Sequence, residues 1–329
     1  MKVVLINRTD AIGDTLLTTS LARAIKKYHA NYKVILLVSE RSGALIELCD
    51  GVDDVFILKS SATFLSKLSL FKEILAKYKV DYYFHLGGSF IPTFFSFMFR
   101  TKYRSGILSK VLSYLFLNCG IRQSRSQVTK HEVGYNLEFL KVLGIDITGL
   151  KNADFAPIIK IKDRFDSVSD RPYMIVHPGM TGHTLNWPMS SYGELISKLH
   201  KKYKDQLEII VSYTPSDLPY INELKKYVGD EVRFFDGSEK GLIHFAYALS
   251  EAKLFVGPST GTSHMANALN TPQVAIYSPI KVQSSERWGP VRQGENVIVF
   301  SPIDESHKMS DILVSDVEKA SHKILGRVL

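Results

Sequence analysis

The sequence holds only two cysteines, Cys49 and Cys119. Two thiols build neither a disulfide framework nor a multi-cysteine metal site, and so sparse a usage fits a reducing compartment. Asp-x-Asp, His-Glu-x-x-His and Cys-x-x-Cys are all missing. Their absence takes support away from metal-dependent chemistry, and no metal site is expected. The apolar stretch at the N-terminus is cut off by Arg8 and is too short for a signal-peptide core. An uncharged, aromatic-rich run, residues 82–99, is broken by His85, Gly87-Gly88-Ser89 and Pro92. It reads as a strand, a turn and a helix rather than a membrane span. A soluble, cytoplasmic protein is expected, one that touches a membrane at most peripherally.

What is present suits a globular chain: 45% hydrophobic and 22% charged residues. A length of 329 residues exceeds what one compact core usually supports and suggests two domains. Charge divides them. Residues 1–165 carry 24 Lys and Arg against 14 Asp and Glu, whereas residues 166–329 carry 17 against 19. The first half is therefore expected to meet something anionic: nucleic acid, an acidic lipid surface or a phosphorylated substrate.

Short β-branched runs alternate with helical patterns. Strands are expected at 2–8, 33–39, 55–58 and 81–86, with helices at 15–29, 44–49 and 64–78 between them. The mixed, polar stretch 151–171 marks the boundary, placing an acceptor-side domain at 1–163 and a second domain at 164–329. Alternation then restarts, with strands at 173–177, 208–213, 232–235, 254–256 and 274–277. Helices follow at 191–202, 218–227, 242–252, 261–269 and 314–329. Strand–helix alternation of this spacing gives two doubly wound α/β, Rossmann-like domains, with ligands at the carboxyl ends of the strands.

Four segments can carry chemistry. Between the first strand and helix lies Arg8-Thr9-Asp10-Ala11-Ile12-Gly13-Asp14. Gly13 allows a tight turn. Asp14, beside a helix start, is either a capping carboxylate or a general base. With one glycine and no Gly-Lys-Ser/Thr, this is neither a dinucleotide fingerprint nor a P-loop. The second segment is Ser259-Thr260-Gly261-Thr262-Ser263-His264, where a strand ends and a helix begins. Free amides and several hydroxyls there suit a phosphate, and His264 adds a proton or a positive charge. The alternative is a capped helix with His264 packed on its first turn. The third, 177–188, offers two glycines and two threonines to a phosphate, while Trp187-Pro188 packs and starts the next helix. In the fourth, residues 82–131, no acidic side chain occurs, whereas Arg100, Lys102, Arg104, Lys110, Arg122, Arg125 and Lys130 do, interleaved with Phe and Tyr. That mixture suits anionic headgroups, single-stranded nucleic acid, or a buried helix with basic flanks.

Taken in order, these segments resemble glycosyltransferase family 9, the ADP-heptose:lipopolysaccharide heptosyltransferases. Arg8-x-Asp10-x-Ile12-Gly13-Asp14-x-Leu16-Leu17-x-Thr19 is similar to the family's opening motif, and His131-Glu132-Val133 with residues 137–144 to its mid-chain helix. His177-Pro178-Gly179 with Trp187-Pro188, and Ser259-Thr260-Gly261-x-x-His264-x-Ala266, resemble its donor-side motifs. The resemblance implies a GT-B fold, two Rossmann-like domains facing across a cleft. It implies inverting, metal-independent transfer from ADP-heptose, a substrate rather than a cofactor, to a phosphorylated acceptor of the lipopolysaccharide inner core at the inner membrane's cytoplasmic face. The residue matching Asp14 is then the base. Thr181, His183, Ser259, Thr260, Gly261, Thr262 and His264 serve the donor; Arg8, Asp10, Gly13, Arg100, Lys102 and Arg104 serve the acceptor side. The family usually has Asp at the Ser259 position and Lys at that of Leu185, so transfer of another nucleotide-activated sugar is the second reading. A nucleic-acid partner is not expected, because it leaves both donor-side loops without a purpose.

Overall fold

The computed structural model describes residues 1–109, 111–180, 185–229 and 232–329. The chain folds as two compact units, Met1–Lys160 and Ile161–Leu329. The division thus falls at Lys160, slightly before the boundary expected at 163.

The first unit runs β1 (Val3–Arg8), α1 (Ile12–Tyr28), β2 (Lys33–Ser39), α2 (Gly43–Ile46), β3 (Asp54–Leu58), α3 (Phe64–Lys77), β4 (Tyr82–Gly87), α4 (Ile91–Met98), β5 (Tyr103–Gly106), α5 (Val111–Phe116) and α6 (Glu132–Leu137). Its strands pair in parallel in the order β3-β2-β1-β4-β5. β1 is buried along its whole length, as a central parallel strand covered on both faces must be. Val3, Leu5, Ile35, Leu37, Phe71, Ile74 and Tyr83 form the core on one face. α1 covers the sheet with Leu16, Leu17, Leu21, Ala22 and Ile25, none appreciably exposed.

The second unit runs β6 (Tyr173–Val176), α7 (Met189–Tyr203), β7 (Glu208–Tyr213), α8 (Leu218–Leu224), β8 (Arg233–Asp236), α9 (Leu242–Glu251), β9 (Phe255–Pro258), α10 (Gly261–Ala268), β10 (Gln273–Ile276), α11 (Ser285–Trp288), β11 (Val297–Phe300) and α12 (Val314–Val328). Its sheet, again parallel, has the order β11-β10-β9-β6-β7-β8. α7 buries Tyr192, Leu195, Ile196 and Leu199 at helical spacing. α12 packs beside it through Val317, Ile324 and Leu325 in the same core. Trp187 is fully buried and donates from Nε1 to the Ile312 carbonyl at 3.0 Å, the packing role its sequence position suggested.

Strands β5 and β11 were not expected. β5, Tyr-Arg-Ser-Gly, has no apolar pattern of its own and exists because it pairs with β4. β11 is a half-buried edge strand held by β10.

In each sheet the strand order reverses direction at one place, between β1 and β4 in the first and between β6 and β9 in the second. Connections leave to opposite faces at such a point, which opens a crevice at the carboxyl ends of the two strands. The opening motif follows β1. In the second unit, His177 follows β6 and Ser259 follows β9. Among the described residues no helix is long and apolar enough to cross a membrane.

Candidate active site

Arg8 ends β1 and is buried, with its guanidinium donating to three acceptors and a third carboxylate close by. Nε donates to Asp10 Oδ1 at 2.8 Å, one Nη to the Leu86 carbonyl at 2.8 Å, and the other Nη to Asp14 Oδ1. Glu132 Oε1 lies 3.7 Å from the Leu86-bound nitrogen and accepts from Arg125 at 2.5 Å. Burial opposes the Arg8 charge, but Asp14, Asp10 and Glu132 outweigh it and hold its pKa above the ordinary value. Burial likewise lifts the Asp10 carboxyl above the usual range, against the pull of Arg8.

Two features of β4 make this cluster possible. Pairing with β1 slips by one residue after Asn7–His85, so that Arg8 faces Gly87 and Leu86 is the extra residue. This bulge supplies the carbonyl that Arg8 uses, as bulges near functional sites commonly re-aim groups. Gly87 supplies room: a Cβ there would lie 2.5 Å from Asp10 Oδ2 and 3.0 Å from Arg8 Nε.

Asp14 is the third residue of α1, whose N-cap is Ala11 with no side-chain bond. Its carboxylate is turned to Arg8: Oδ1 is engaged by the guanidinium, and Oδ2 is the oxygen outside that bond. Gly13 is buried in the same first turn. Glu132 begins α6, behind the His131 cap, and is completely buried. The sequence placed it only within a helix motif. The available signal was that Glu132 is the residue that ends the acid-free run, seven positions after Arg125.

In the second unit, Thr260 is the N-cap of α10, and the first helical bond runs from the His264 amide to the Thr260 carbonyl at 3.3 Å. The amides of Gly261, Thr262 and Ser263 precede any helical acceptor. Thr260 makes no side-chain cap bond, and its Oγ1 is buried without a hydrogen-bond partner among the described residues. Ser259, Gly261 and Thr262 are half-buried beside it, and His264 is buried on the first turn. At the facing strand end, His177 Nδ1 lies 3.0 Å from Ser212 Oγ and Nε2 lies 4.0 Å from Asp217. Burial holds the His177 imidazole below its usual pKa, against the attraction of Asp217. Asp217 is itself fixed by the Thr214 amide and hydroxyl, at 2.8 and 2.7 Å. Gly179 is a glycine by necessity, because a Cβ would sit 2.3 Å from the Asp217 carboxyl carbon. Thr181 and His183 lie outside the described residues. No three His, Cys, Asp or Glu side chains gather as a metal-ligand group among the described residues.

The three basic residues assigned to the acceptor side divide. Arg100 and Lys102 are exposed. Arg104 is turned inward instead, donating to the carbonyls of Phe116 at 2.9 Å and Thr101 at 2.6 Å and lying over the Phe97 ring. Burial lowers its pKa. It ties the segment together rather than presenting a free cation.

Two parallel, doubly wound units, each with a polar loop cluster at its switch point, are the architecture of the GT-B fold. The family model for glycosyltransferase family 9 (heptosyltransferase) matches residues 68–313, and the chain belongs to that family. A Haemophilus influenzae protein provisionally named as a glycosyltransferase is 23% identical over 340 residues, covering 98% of this chain and 96% of the relative. A family 9 glycosyl transferase from Veillonella parvula superposes with a TM-score of 0.82 at 17% identity, over 99% of this chain and 97% of the other. The ADP-heptose lipopolysaccharide heptosyltransferase II of E. coli superposes at 0.79 with 19% identity, over 99% of both chains. The protein is a glycosyltransferase of the heptosyltransferase family.

Proposed function

We propose that the enzyme moves heptose from ADP-heptose to the inner core of lipopolysaccharide, by inverting, metal-independent displacement with Asp14 as general base. The observation that carries the reading is the Arg8–Asp14 pair at the carboxyl end of β1. One carboxylate oxygen is held by a buried guanidinium, and the other is left to accept a proton.

In this mechanism an acceptor hydroxyl oxygen attacks the anomeric carbon from the face opposite the diphosphate. Its proton passes to Asp14 Oδ2. The bond from the anomeric carbon to the phosphate oxygen breaks, its electron pair leaves with ADP, and the anomeric configuration inverts. The leaving group is stabilised by donors at the start of α10: the amides of residues 261–263 and the Thr260 hydroxyl. Ser259, Thr262 and His264 line that helix start, and Thr181 and His183 are assigned to the donor on the strength of the family motif. A buried hydroxyl without a protein partner is costly, and a phosphate oxygen would remove that cost. The E. coli relative named for ADP-heptose supports the choice of donor. The acceptor, a phosphorylated lipid or oligosaccharide, meets the basic first unit at the cytoplasmic face of the inner membrane; Asp10, Gly13, Arg100 and Lys102 belong to that side.

A second reading keeps the mechanism and changes the sugar. It is favoured by Ser259 and Leu185, which replace the family's usual Asp and Lys. Turnover of a panel of ADP-sugars separates the two readings. The test of the base is Asp14→Asn: Asn tolerates the same helical position, so the fold should persist while turnover falls by about 10²–10⁴-fold and donor affinity stays level. Turnover at the wild-type rate would remove Asp14 from the mechanism.

A further inference from the structure

Helix α5 is inside out for a protein surface in water. Its polar residue, Ser113, is buried, whereas Val111, Leu112, Tyr114 and Leu115 are 84, 51, 55 and 61% exposed. A solvated helix shows the opposite arrangement. The end of α4 continues the apolar surface, with Phe97, Met98 and Phe99 each more than a third exposed.

These two stretches form one patch. The Phe97 and Phe116 rings are 5.2 Å apart, and Phe94 meets Phe116 at 5.5 Å. Arg104 fastens the end of α5 to the turn after α4 through the Phe116 and Thr101 carbonyls. Asn118 adds bonds to the Arg104 amide and the Lys102 carbonyl, at 2.8 and 2.9 Å. The turn itself is rigid. Arg100 takes a left-handed conformation (φ 56°), and the amides of Arg100 and Thr101 reach back to the Phe97 and Ser96 carbonyls at 3.0 and 2.9 Å. This is the helix ending usually given to glycine. It leaves Arg100 exposed, with Lys102 exposed just beyond it.

We propose that α5 and the end of α4 form a foot that seats the enzyme on an anionic lipid bilayer. Val111, Leu112 and Leu115 enter the acyl boundary, Tyr114, Phe97 and Phe99 lie at the headgroup level, and Arg100 and Lys102 meet lipid phosphates. Charge selects this occupant over a protein. No acidic residue occurs from 82 to 131, so every charged group that α4, α5 and the turn between them carry has the sign that anionic lipid attracts. A six-residue helix is too short to span and of a size to lie in the interface. The inference rests on the proposed function only in taking the acceptor to be lipid-borne.

The test uses the full chain and vesicles of phosphatidylglycerol with phosphatidylethanolamine, against vesicles of phosphatidylcholine alone. Wild-type protein should sediment with the anionic vesicles, less so in high salt, and leave the neutral ones. Val111→Glu combined with Leu115→Glu changes two exposed side chains, so melting should be unchanged while binding drops about tenfold or more. Val111→Trp should bind at least as well and shift its emission to the blue on vesicles. The proposal fails if the double variant binds like wild type, if the Trp emission does not move on bound vesicles, or if the patch proves to be a dimer contact. In that last case the double variant turns a dimer into a monomer and wild type ignores lipid. Transfer to a water-soluble, deacylated acceptor separates this idea from the function on which it rests. The double variant should match wild type there, and an inactive wild type that still binds vesicles would refute the function and leave the foot standing.

Discussion

Replacing Glu132 by Gln tests whether the charge cluster builds the site. Glu132 is completely buried and touches two guanidinium groups, Arg125 at 2.5 Å and Arg8 at 3.7 Å. Removing one member of a buried ion pair costs about 3–5 kcal/mol, because the partner's charge is left in a poor solvent. The lower end applies here. Gln keeps an acceptor for Arg125, and Arg8 retains Asp10 and Asp14. A loss of about 3 kcal/mol lowers the melting point of a domain this size by roughly 6–12 °C. Calorimetry should show that fall in one transition, because Glu132 belongs to the first unit. Glu318→Gln is the contrast: Glu318 meets Lys198 at 3.2 Å on a partly solvated surface of the second unit, where such pairs contribute about 1 kcal/mol or less. Turnover of Glu132→Gln should fall as well, with donor affinity unchanged, since Arg8 loses one of the groups that orient it toward Asp14. A melting change below about 2 °C with full turnover would refute the idea that Glu132 holds the cluster.

Gly87→Ala should lower turnover about tenfold or more and lower the melting temperature as well, because the new methyl would lie 2.5 Å from Asp10 Oδ2 and 3.0 Å from Arg8 Nε and would push apart a buried ion pair; steady-state kinetics beside a melting curve checks it. Thr260→Val removes a hydroxyl that has no partner among the described residues, so the ligand-free protein should be as stable as wild type or slightly more so. Its affinity for ADP, read by calorimetry, should fall roughly 10- to 100-fold, the worth of one hydrogen bond to a charged group; unchanged affinity would take Thr260 out of the donor site. The folded His177 titrates below its ordinary 6.5, so the unfolded chain binds the extra proton first. Stability on this account is complete above about pH 6.5 and is lost as pH falls toward the folded value. His177→Asn should flatten that acid-side decline in melting temperature, and an equal slope in both proteins would contradict the assignment.

Periodicity made most of the architecture legible. β2, β7 and the start of α3 lie where the apolar pattern put them, since buried parallel strands and amphipathic helices write their burial into local composition. The order of motifs along the chain likewise sufficed for the family, and Asp14 and Thr260 stood out because strand-to-helix turns of small and polar residues are legible without coordinates. Local pattern failed where pairing decides. β5 has no strand signature, and β11 is an edge strand drawn in by its neighbour. The site has the same character. Arg8, Gly87 and the Arg125–Glu132 pair are far apart in sequence and meet only because the sheet order sets β1 beside β4 and α6 packs on α1. The basic run of residues 82–131 announced an anionic partner, but exposure sorted its members: Phe95 went to the core, Arg104 to the carbonyls it fastens, and Arg100, Lys102 and the apolar face of α5 to the surface. Composition fixes how much charge and apolar area a segment carries; which groups face water follows from what the rest of the chain packs against them.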